Sequence, residues 1–117
     1  MTPPLCAEAR TAYSADPRPG GEPVGLFCLD RVVRDRSLAA IGAGARRATE
    51  SSAAIAYVGE PDRRSVDFSA PILEAAGIGA VNGSDGAAAM RAVLRAVRAS
   101  AGDDDLRAAV REQLEGG

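Results

Sequence analysis

Residues 53–81 read AAIAYVGEPDRRSVDFSAPILEAAGIGAV, and the order of patterns inside them decides the fold. Ala53 to Val58 is a short apolar run closed by Gly59, the length and make-up of a buried strand. Glu60 to Arg64 form a polar turn. Phe68, Ile72, Leu73 and Ala76 then recur at helical spacing from Val66 to Ala76, and Gly77 stands where a helix stops. Pro71 falls near the first turn of that helix, where a missing N–H is tolerated. Ile78 to Val81 is another short strand. A strand, a helix and a strand in so few residues predict a parallel pair joined by a crossover.

Working outward, the same alternation extends in both directions. Upstream, Leu5 to Tyr13 reads as a short helix with Leu5, Ala9 and Ala12 on one side, and residues 14–23 gather three prolines and two glycines into a loop. Val24 to Leu29 reads as a first buried strand. Ser37 caps a helix that carries Leu38, Ile41, Ala45 and Ala48 as far as Glu50. Gly42 and Gly44 in that helix form no phosphate-binding fingerprint, because position 47 is Arg. Downstream, Asn82 to Gly86 is a loop in which Ser84 or Asp85 caps the helix Ala87 to Ser100, with Met90, Val93, Leu94 and Val97 on its apolar face. A last helix starts at Asp103-Asp104-Asp105, where carboxylates favour the positive end of the helix dipole, and carries Leu106, Val110 and Leu114. The expected fold class is α/β, a short parallel sheet flanked by helices in one unit over 1–117, with a helix and Pro/Gly loop in 1–23, a βαβαβ core in 24–81 and two helices in 86–115.

Composition restricts the chemistry. The 117 residues contain no His and no Trp, and all 14 Lys+Arg are Arg. Walker-type phosphate loops, Schiff-base lysines and the usual general base are therefore excluded, and the expectation is a protein without catalysis or cofactor. A net charge of -2 offers no cationic excess for nucleic acid. Much of the 46% apolar content is Ala, and aromatics reach only 3%, so the core is poor in large side chains. Marginal stability, or an absent partner surface, is the consequence. Cys6 and Cys28 lie in unrelated contexts with no metal spacing, and Cys28 reads as a small buried hydrophobe. No leader or membrane span is visible, which points to the cytoplasm.

Three stretches carry a family resemblance. Ala43-Gly-Ala-Arg-Arg-Ala48, Ala54-Ile-Ala-Tyr-Val-Gly-Glu60 and Ser69-Ala-Pro-Ile-Leu-Glu-Ala-Ala-Gly-Ile78 resemble type I periplasmic solute-binding proteins, the branched-chain amino-acid receptors of ABC transporters. Ala7-Glu-Ala through Gly20-Gly-Glu-Pro-Val24 to Leu29-Asp30 is similar to the family's first helix, Gly-Gly turn and second strand. Gly86 to Val97 and Asp105 to Val110 are similar to its late helix pair. The resemblance implies most of one lobe with the middle of the family's sequence missing, an amino-acid-like ligand, an ABC permease as partner and an extracytoplasmic setting. Its ligand turns fall here on Glu60 to Ser65 and Asn82 to Asp85, so the implied binding residues are Glu60, Arg63, Arg64, Ser65, Asn82 and Ser84.

Arg63 and Arg64 depart from the small or hydroxyl residues of that family, as Asn82-Gly83 departs from its Ser-Pro pair. With one lobe absent, ligand capture is expected to be impaired, since half a cleft buries little of a small molecule. A low-affinity anion site at Arg63, Arg64 and the helix start near Ser65 is consistent with the same residues. Asp30, Glu60 and Asp62 read as solvated loop acids rather than a magnesium pocket, because no Lys accompanies them. Two other readings remain: a small interaction module forming a homodimer through the 87–114 helices, with Val93, Val97, Val110 and Leu114 as an exposed stripe, and a non-functional gene remnant.

Overall fold

The computed structural model describes residues 3–26, 28, 53–59 and 62–116, and it is built around a strand–helix–strand unit. Strand β1 (Ala56–Gly59) pairs in parallel with β2 (Gly79–Asn82), with Ala56 opposite Gly79 and Gly59 opposite Asn82. Helix α2 (Arg63–Ala75) joins them. Helix α1 (Pro3–Ala15) precedes this unit, and α3 (Gly86–Ser100) and α4 (Leu106–Gly116) follow it. The described residues are thus an α/β arrangement of four helices and a two-stranded parallel sheet.

Three helices begin on an aspartate, which supplies the acceptor that the first turn's N–H groups lack. Asp62 accepts from the Ser65 N–H at 3.0 Å, Asp85 from Ala87 and Ala88, and Asp105 from Ala108 at 3.1 Å. Helix α2 ends as expected at Gly77. There the N–H groups of Gly77 and Ile78 bond to the carbonyls of Glu74 and Leu73, the double closure of a Schellman turn. Because α2 starts at Arg63 and not at Val66, Pro71 lies in its third turn rather than near its first. Asp67 and Pro71 are both exposed, so water reaches the carbonyl that loses its partner.

The core lies chiefly between α1 and α3. Leu5, Ala9 and Ala12 form the buried side of α1, and Ala9 and Ala12 join Met90, Val93, Leu94, Ala96, Val97 and Val110 in one cluster. The α1 surface is made of alanines, so the two helices approach closely. Polar links hold the same contact: Glu8 accepts from the Gly86 N–H at 3.3 Å, and Arg98 pairs with Asp16 at 2.6 Å. Helix α4 is tied down by Arg107, whose Nε donates to the Ala54 carbonyl at 2.7 Å just before β1.

This packing corrects several expectations. The stripe assigned to self-association is covered from within the chain: Val93, Val97 and Val110 are 5%, 1% and 0% exposed, and only Leu114 is half-buried. Phe68 is 38% exposed and not on the core face, because α2 turns Ser65, Ser69 and Leu73 inward. Val24 to Leu26 and Cys28 form no strand; the Val24 carbonyl accepts instead from the Tyr13 hydroxyl at 2.7 Å. Cys6 and Cys28 are not independent thiols but a disulfide, with Cα atoms 6.1 Å apart. The helix expected over 37–50 and the adjoining residues 29–52 lie outside the described residues.

Among the described residues, one buried side-chain atom has no hydrogen-bond partner, the Ser100 hydroxyl at the end of α3. An unsatisfied buried hydroxyl is a net cost. Ser100→Ala is therefore expected to raise the unfolding free energy by about 1 kcal/mol in a urea denaturation series, and a decrease would show that the hydroxyl has a partner.

Candidate functional site

In parallel α/β units, functional groups gather at the carboxyl ends of the strands, where helix N-termini also point. Here that end is marked by Gly59 and Asn82, which face each other as the last pair of the sheet. Asn82 belongs to β2 and not to the following loop, which corrects its expected placement. It leans across its neighbour: a Cβ built on Gly59 would lie 2.5 Å from Asn82 Oδ1 and 2.7 Å from the Tyr57 ring, so a larger residue at 59 would displace one of these side chains. Ser84 follows in an exposed bend, and Asp85 rather than Ser84 caps α3.

The other candidates sit on the first turn of α2. The Ser65 side chain is buried, and its hydroxyl donates to Asp62 Oδ2 at 2.7 Å, so it serves the helix cap. Arg63 and Arg64 are exposed. Together with Asp67 and Phe68 they line an open depression along the first two turns of α2. Of the expected residues that are described, Arg63 and Arg64 line it, whereas Ser65, Asn82 and Ser84 do not. Glu60 lies outside the described residues, as does Asp30 of the acidic group considered for magnesium. Among the described residues no group of three or more His, Cys, Asp or Glu could hold a metal ion.

Asp67 and Phe68 are not among the site residues expected from the sequence. The signal for Asp67 was present in its spacing, since Arg63 and Asp67 are four residues apart and meet at 3.9 Å. Their side chains are 93% and 72% exposed. An ion pair so solvated contributes little to stability, and both partners can exchange it for charges on a ligand. Among the described residues the depression therefore offers two cations, one carboxylate and an aromatic ring.

No family model, curated protein or solved structure matches the chain. No described helix is long and apolar enough to cross a membrane.

Proposed function

We propose that this chain is one lobe of a solute-binding protein of the branched-chain amino-acid receptor kind. It binds a small amino-acid-like solute weakly, for delivery to an ABC permease, and carries out no chemistry. The observation that carries the reading is the depression lined by Arg63, Arg64, Asp67 and Phe68. Its groups complement a zwitterion with an apolar side chain: a guanidinium for the carboxylate, Asp67 for the ammonium and the Phe68 ring for the side chain. The parallel β1–α2–β2 unit supports the same reading, because it places this helix start at the carboxyl end of the sheet. The Cys6–Cys28 bond supports an extracytoplasmic setting, since disulfides persist in oxidising compartments. That setting is the one the family resemblance implies.

A single open lobe buries only part of its ligand, so affinity is low. Calorimetric titration with leucine, isoleucine and valine is expected to give saturable heat with a Kd of about 1 mM, some 4 kcal/mol. Arg64→Gln should weaken binding about tenfold, the loss of one charge-assisted contact. Acetate, which supplies the carboxylate alone, should bind less tightly than leucine. Absence of saturable heat with all three amino acids would overturn the proposal.

A further inference from the structure

We infer that the Cys6–Cys28 bond is a thiol–disulfide exchange site tuned by Arg10 and open to a dithiol reductant. The Arg10 Nη2 atom lies 3.5 Å from Cys28 Sγ and 3.9 Å from Cys6 Sγ, so one guanidinium serves both sulfurs. Arg10 reaches them because it follows Cys6 by four residues on α1, on the same helix face. Cys6 also lies in the first turn of α1, where the positive end of the helix dipole favours an anion. Both cysteines are half-buried and Arg10 is exposed, which leaves the bond within reach of a small reductant.

Exchange proceeds in two displacements. One thiolate of the dithiol attacks a sulfur of the pair, and the S–S electron pair leaves on the other sulfur as a thiolate beside Arg10. The second thiol of the reductant then attacks the mixed disulfide and releases the remaining cysteine. Two electrons pass to the protein and the reductant departs as a cyclic disulfide; the reductant's two protons go to the freed cysteines or, above the thiol range, to solvent, which leaves thiolates. The guanidinium stabilises the departing thiolate and the reduced product, so it both speeds reduction and shifts its equilibrium. Reduction releases Cys28 from α1 and leaves the Tyr13–Val24 hydrogen bond across that contact.

The full chain is equilibrated with mixtures of reduced and oxidised dithiothreitol at about pH 9, above the ordinary thiol range, so that the reduced cysteines carry the charge that Arg10 faces, and free thiols are counted by alkylation and mass. Arg10→Gln is expected to need an about tenfold higher ratio of reduced to oxidised reductant for half-reduction, the effect of one opposite charge on a neighbouring ionised group. It should also be reduced more slowly. Arg10→Lys, which keeps the charge, should stay near the unaltered protein. The unaltered protein in high salt should shift in the direction of Arg10→Gln, because an exposed charge is screened. This salt series stands on its own if the glutamine variant changes the fold. Equal ratios for Arg10→Gln and the unaltered protein, with no salt dependence, would overturn the inference.

Discussion

The double variant Cys6→Ser, Cys28→Ser is expected to lose about 3 kcal/mol of unfolding free energy, the loop-closure contribution of a link between residues so far apart. The bond spans a sequence separation of 22 residues and joins the first turn of α1 to a segment without regular structure. It restricts the unfolded chain over the whole Pro/Gly loop, where many conformations are otherwise open. The effect is large for this chain because its central cluster holds Ala9, Ala12 and Ala96 among its members, each contributing little buried area. Urea denaturation followed by circular dichroism measures the change. The unaltered protein in excess reductant should fall to the same midpoint as the double variant. Equal midpoints for the oxidised protein and the variant would show that the bond does not stabilise the fold.

Gly86→Ala is expected to cost about 3 kcal/mol, the upper part of the range for overpacking. Gly86 opens α3 where α1 crosses it, and a Cβ there would run into the carbonyl oxygen of Leu5 and come within 3.0 Å of Glu8 Cβ. The obstacle is backbone in a helix, which cannot rotate aside as a side chain can. Relief requires α1 and α3 to separate, which opens the cluster of Ala9, Ala12, Val93 and Val97 and stretches the Glu8 to Gly86 hydrogen bond. Alanine's better helix propensity recovers at most about 1 kcal/mol of this. A denaturation midpoint equal to that of the unaltered protein would contradict the close approach of the two helices.

The sheet and its crossover were legible because their pattern is local. Apolar runs ending at Val58 and Val81, with a helical period between them, allow few other arrangements. The buried side of α1 was legible for the same reason. What failed depends on contacts distant in sequence. Cys6 and Cys28 have no informative spacing, since the loop between them can bring them together or hold them apart. The expectation of an uncovered stripe on α3 and α4 rests on the neighbouring elements of the resembled family that this chain lacks, yet Ala9 and Ala12 of α1 share one cluster with Val93, Val97 and Val110. The helical spacing of Phe68 with Ile72, Leu73 and Ala76 predicts it inward, whereas the serines at 65 and 69 mark the face of α2 that meets the rest of the chain. At the candidate site, Arg63 and Arg64 were identified from their place after a Gly-ending strand. Asp67 and Phe68 joined them only once α2 was seen to begin at Arg63.

The central claim is that the start of α2 recognises a small amino-acid-like zwitterion. Amide chemical shifts of the full chain, followed during a leucine titration, test it most directly. Saturable shifts centred on Arg63, Arg64, Asp67 and Phe68 are expected, reduced by Arg64→Gln and by Phe68→Ala. Saturable shifts centred elsewhere, or none at these four residues, would contradict it.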